Sequence, residues 1–107
     1  MGLDVAVYAD DECDKQIASA RVGNLEGVVR LRESIKEKVP QATVLLTKVL
    51  YSASHSGDSL TTDDARKAKQ ELEEVSAKIS DRTVQEFVVT FGSIIDVALR
   101  HERPVTF

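Results

Sequence analysis

Leu3-Asp4-Val5-Ala6-Val7-Tyr8 is the stretch that decides the fold class. Leu3, Val5 and Val7 alternate with Asp4, Ala6 and Tyr8, the period-two pattern of a strand with one face in a core and one in water. Most of the remaining chain carries helical spacing. One amphipathic strand at the start therefore separates an α+β reading from an all-helical one. A strand cannot stand alone, so partners must be found further along. Residues 16–22 read as a second strand with Ile17 as its strong apolar anchor. The closing Arg103-Pro104-Val105-Thr106-Phe107 puts Val105 and Phe107 on one face, which suits a short strand lying beside the first.

Between these strands the helices announce themselves by caps and stripes. Gly23-Asn24 opens one, Asn24 being a residue type that accepts from free first-turn amides. Leu25, Val28, Leu31, Ile35 and Val39 then recur at helical spacing until Pro40 ends the ladder. Thr61 and Asp64 have the spacing of a capping box, and Ala65, Ala68, Leu72, Val75 and Ile79 form the stripe behind them. Ser80-Asp81 offers the next cap. From about Arg82 to Arg100, Val84, Phe87, Val88, Phe91, Ile94, Ile95, Ala98 and Leu99 make the most apolar element, expected to be the central core helix. Residues 41–51 are ambiguous. Thr43, Val44, Val49 and Tyr51 have strand preference, whereas Leu45 with Val49 and Leu46 with Leu50 sit four apart, which favours a short buried helix. The expected architecture is thus α+β, three to four helices packed on a small sheet formed by the N-terminal and C-terminal strands, in one domain over 1–107.

Composition fits one ordinary globular domain. The chain has 107 residues, 42% apolar and 30% charged, and no Pro/Gly/Ser-rich stretch divides it. A net charge of −4 argues against nucleic acid, whose phosphates demand clustered Lys and Arg. Acidic character also attracts a basic partner through long-range steering. Cys13 is the single cysteine, so no internal disulfide can form. Met1-Gly2-Leu3-Asp4 lacks a basic region followed by an apolar core, so no signal peptide is expected. Gly2 is followed by Ala6 where a myristoylation motif wants Ser or Thr. Apolar runs such as Val44-Leu45-Leu46 are far too short for a membrane span. A cytoplasmic location and no membrane partner are the expectations.

Two segments could carry function. Tyr51-Ser52-Ala53-Ser54-His55-Ser56-Gly57-Asp58 holds the residue types of a site. His55 could serve as a general base near neutral pH, beside Ser56 and Asp58. The strand-turn-helix context of a Gly-x-Ser-x-Gly elbow is missing, and turn chemistry at Gly57, Asp58 and the serines explains the same residues. Asp10, Asp11, Glu12 and Asp14 could face a basic partner surface, or be a solvated loop. They lack the Asp-x-Asp-x-Asp-Gly calcium loop. The two histidines and Cys13 show no diagnostic metal spacing, and no cofactor motif is present. His101, with Arg100 and Arg103, suits the negative end of the last helix. Gly27 and Gly92 interrupt helical patterns, and close helix packing is the expected reason.

Gly2-Leu3-Asp4-Val5, Arg21-Val22-Gly23-Asn24, the segment from Tyr51 through Asp58 to Ser59-Leu60, and Pro104-Val105-Thr106-Phe107 together resemble small bacterial immunity proteins of polymorphic toxin systems. The resemblance implies a non-enzymatic protein that binds a cognate toxin and blocks its active site. No functional residue is carried over from it. The candidate contacts, Asp10, Asp11, Glu12, Asp14, Tyr51, His55, Ser56 and Asp58, come from the acidic and polar segments themselves, whose charge suits a basic toxin domain. The alternative is a small enzyme or ligand-binding domain centred on the His55-Ser56-Gly57-Asp58 loop.

Overall fold

The structure is a computed structural model that describes residues 2–9, 15–51 and 58–107. Strands β1 (Gly2–Tyr8) and β2 (Gln16–Asn24) form an antiparallel pair, followed by helix α1 (Leu25–Lys38) and a π-helical turn at Leu45–Val49. Strand β3 (Ser59–Leu60), helices α2 (Thr62–Lys78) and α3 (Arg82–His101), and strand β4 (Val105–Thr106) complete the chain. The four strands make an antiparallel sheet of order β2-β1-β4-β3. The α+β expectation holds, with the terminal strands β1 and β4 adjacent at the centre of the sheet.

The β1 alternation is realised as read. Leu3, Val5 and Val7 are buried, whereas Asp4 is exposed and Ala6 and Tyr8 are half-buried. The nine residues of β2 face the seven of β1 because the register slips between Leu3 and Asp4 and again between Val7 and Tyr8. Val22 and Ile17 are the extra residues, each unpaired in the register. Such bulges bend and twist the strand that carries them. They also keep Arg21, Ser19 and Gln16 in step with Asp4, Ala6 and Tyr8 on the outward face.

Each of the three long helices begins at a cap visible in the sequence. The Asn24 side chain accepts from Gly27 N–H at 2.7 Å, and Thr61 Oγ1 from Asp64 N–H at 3.2 Å. Asp81 Oδ1 accepts from both Thr83 and Val84, at 2.9 and 3.3 Å. At the other end of α3, Glu102 adopts a left-handed backbone, φ 53°, and its N–H returns to the helix. The Arg103 N–H bonds Ala98 O at 2.9 Å and its Nε donates to Tyr8 O at 2.9 Å. Arg103 thus ties the end of α3 to the end of β1.

The helices cover one face of the sheet. The core joins Val5, Val7 and Val105 with Val28 and Ile35 of α1 and Phe91, Ile95 and Ala98 of α3. Phe87 and Phe91 stack with ring centroids 5.5 Å apart. Helix α2 packs chiefly on α3. No polar or charged residue among those described is buried.

Within residues 41–51 the chain forms a short helix at Leu45–Val49, as the four-apart spacing favours, but of unexpected pitch. Leu50 N–H reaches back five residues to Leu45 O at 2.7 Å, and the wider turn puts Leu45, Val49 and Leu50 inside together. Leu46 is left half-buried. Ser59 begins edge strand β3, which pairs with β4 through Ser59–Thr106 and Leu60–Val105. Two residues carry too little pattern to read as a strand.

Candidate partner-binding surface

Six of the eight candidate contact residues, Asp10, Asp11, Glu12, Asp14, His55 and Ser56, lie outside the described residues, as does Cys13. The stems of both segments are described. At one end of the sheet Ala9 N–H bonds Lys15 O at 2.8 Å, closing the base of residues 10–14. The base of residues 52–57 is closed by Tyr51, whose hydroxyl donates to the Asp58 carboxylate. That bond keeps the exposed Tyr51 phenol protonated to higher pH than usual, with desolvation and the nearby negative charge adding to it.

The stems are rooted apart on the sheet, the first at the end of β1 and the second across β4, where Ser59 and Ala6 both pair with Thr106. Residues 10–14 follow the end of β1, whereas Asp58 precedes β3, which runs parallel to β1 because both are antiparallel to β4. What connects them is the face of the sheet that none of the described helices covers. Asp4, Ala6 and Tyr8 of β1, Gln16, Ser19 and Arg21 of β2, and Thr106 and Phe107 line a shallow hollow of about 360 Å³ there. Tyr8 and Gln16 adjoin the first stem. Phe107 adjoins the second, its N–H bonded to Asp58 O at 2.9 Å.

The face combines small, charged and aromatic side chains. Its middle is made of small side chains, Ala6 opposite both Ser19 and Thr106. A partner group can therefore approach the backbone. One side carries an ion pair, Arg21 Nε to Asp4 Oδ1 at 3.5 Å, with both side chains more than half exposed. Such a pair contributes little to stability in water, and its charges remain available to a docked surface. Tyr8 supplies a half-buried aromatic at the rim, the kind of rigid side chain that anchors interfaces. Among the described residues there is no His/Cys/Asp/Glu cluster with the arrangement of a metal site. His101 is exposed at the end of α3.

No family model, curated protein or solved structure matches the chain. No helix among the described residues is long and apolar enough to cross a membrane.

A second surface feature escaped the sequence reading. Helices α2 and α3 are bridged by Lys69 Nζ to Asp96 Oδ1 at 2.6 Å and by Ser76 Oγ to Gln85 Oε1 at 3.0 Å. Between the bridges lies a groove of about 320 Å³ that Leu72, Val88 and Gly92 help to line. The expectation that Gly92 permits close helix packing is corrected here. A Cβ at Gly92 would meet only Leu72 Cδ1, at 3.9 Å, an ordinary contact. Gly27 differs. A Cβ there would come within 3.1 Å of the Asn24 Oδ1 that caps α1, so its constraint comes from the cap, not from a neighbouring helix.

Proposed function

We propose that the chain is a protein-binding module of the toxin-neutralising immunity type, docking a basic toxin domain on the open face of its sheet. The observation that carries this reading is the position of that face. It joins the stem of the acidic residues 10–14 to the Tyr51–Asp58 stem across a floor of small side chains. Asp10, Asp11, Glu12 and Asp14 follow β1 in the sequence and carry negative charge, and Asp58 adds a carboxylate at the other stem. A basic partner is drawn by that charge before it docks. The resemblance to immunity proteins supplies the class of partner, and occlusion of a toxin active site supplies the mode of action.

Co-expression with a toxin domain encoded beside this chain tests the reading. Protection of the host cells and a complex that survives purification are expected. Ala6→Arg, which places a cation on the floor of the face, is expected to abolish both while the circular-dichroism spectrum and melting temperature stay near wild type. Protection that survives Ala6→Arg removes the sheet face from the mechanism. Cells killed despite a well-expressed wild-type chain remove the immunity reading itself.

A further inference from the structure

Gly92 is a helix residue without an internal justification. It sits in the middle of α3, where glycine costs about 1 kcal/mol relative to alanine. Its φ is not positive, and a methyl group would fit against Leu72. The missing side chain leaves an open groove with an apolar floor. The Lys69–Asp96 and Ser76–Gln85 bridges flank the groove on either side. Gln85 Nε2 further donates to Ser76 O at 3.0 Å and Ile79 O at 2.5 Å, locking the turn between the helices. Three positions before Gly92, on the outward side of α3, Val89 is 69% exposed, the most exposed large hydrophobic residue among those described. An unfilled hole and an exposed aliphatic ledge thus adjoin on one helix, on a different surface from the open sheet face.

We propose that this groove is a second docking site, taking an amphipathic helix of a basic protein partner that inserts one apolar side chain over Gly92. The occupant follows from shape and charge. A groove between two helices, apolar at its floor and polar at its rim, has the form that receives the apolar stripe of a third helix. Of the charged groups lining it, Lys69 pairs with Asp96 and also lies within reach of the Glu73 charge, and Glu73 is exposed at the rim. The net charge of the lining is therefore −1, on a chain that is itself −4. Lysines flanking the apolar stripe of the incoming helix would meet Glu73, and Val89 would extend the contact past the groove.

The site can be probed with the full chain and two synthetic peptides. One is an 18-residue helix with a leucine stripe and lysine elsewhere. The other has the same stripe with glutamate in place of lysine. In ¹⁵N-correlated NMR titrations, the lysine peptide is expected to shift the amides of Leu72, Glu73, Val88 and Gly92, binding at least tenfold tighter than the glutamate peptide. Gly92→Leu, which fills the hole, is expected to weaken the lysine peptide at least tenfold, and Glu73→Lys to weaken it several-fold. Gly92→Ala keeps the assay decisive if Gly92→Leu does not fold. It should melt no lower than wild type and still bind more weakly. Equal binding of both peptides, shifts confined to the sheet face, or unchanged affinity in Gly92→Ala and Glu73→Lys would each overturn the proposal. A dimer of the wild-type chain that Gly92→Leu abolishes would overturn it too, giving the groove to a second copy. Ala6→Arg leaves this groove intact, so the sheet-face reading and this one fail separately.

Discussion

At the scale of single residues, the most informative side chain is one whose role has no local signature. Glu71 lies on α2 yet accepts from Val44 N–H at 3.2 Å and Leu45 N–H at 2.9 Å, capping a helical turn 26 and 27 positions away. The turn has no side-chain cap of its own. A carboxylate receiving two amides makes charge-assisted bonds, stronger than neutral ones. Glu71→Gln keeps the shape but loses the charge and one good acceptor, and should destabilise the fold by about 1–2 kcal/mol in urea titration. A loss below a few tenths would mean water replaces the bond without cost. By contrast, Asn24, Thr61 and Asp81 were legible from sequence because a cap and its target amides lie within three residues. Glu71 was not, because nothing in a helical stripe says which distant backbone its polar face will meet. Gly92 was visible as an anomaly, but its cause was not. Whether a glycine is needed depends on the atoms a Cβ would touch, and those belong to another helix.

At the scale of elements, strength of local pattern decided what could be read. Strand β1 and the three long helices repeat their apolar period often enough to fix type and face. The turn at Leu45–Val49 spans little more than one period. Its spacing favoured helix, but its π pitch arises from the demand that Leu45, Val49 and Leu50 all enter the core. The bulges at Ile17 and Val22 are equally invisible, since a register exists only relative to β1. The connection between α2 and α3 offers a direct test of how far an element depends on its start. Asp81 satisfies two amides of α3 that would otherwise have no helical acceptor. It also places a negative charge at the positive end of the helix. Asp81→Ala should therefore cost about 1–2 kcal/mol, read as a lower melting temperature with the native spectrum retained. Asp81→Asn, which keeps the acceptor and loses the charge, should recover most of it. Equal losses in the two variants would assign the effect to charge alone.

At the scale of the whole molecule, the sheet closes only when β4 enters between β1 and β3, so the two ends of the chain fold as one unit. The candidate surface inherits this. Its outward residues were legible on β1, but its width depends on β4 and β3 arriving beside it, and six of its candidate contacts belong to residues 10–14 and 52–57, outside those described. Two long-range ion pairs join elements of the same assembly and contribute to its response to pH. Lys48 Nζ lies 2.6 Å from Asp64 Oδ2, joining the Leu45–Val49 turn to α2. This hydrogen bond is the main reason the Asp64 carboxyl titrates below its ordinary value of 3.8, with burial opposing it. A folded value below the unfolded one stabilises above the unfolded value, and the contribution is lost as pH falls through the folded value. Lys69 is raised above 10.5, first by its hydrogen bond to Asp96, so its contribution is present below that pH and lost as pH rises through the folded value. The two pairs therefore weaken at opposite extremes and overlap across the neutral range. Lys48→Met should melt below wild type at pH 7, and the gap should close below pH 3.8 as Asp64 protonates in both proteins. Asp96→Asn should also melt lower at pH 7, but its gap should close on the alkaline side, above pH 10.5. Thermal melts across the pH range check both. If the Lys48→Met gap stays constant into acid, the Lys48–Asp64 pair acts through packing of the lysine stem and not through charge.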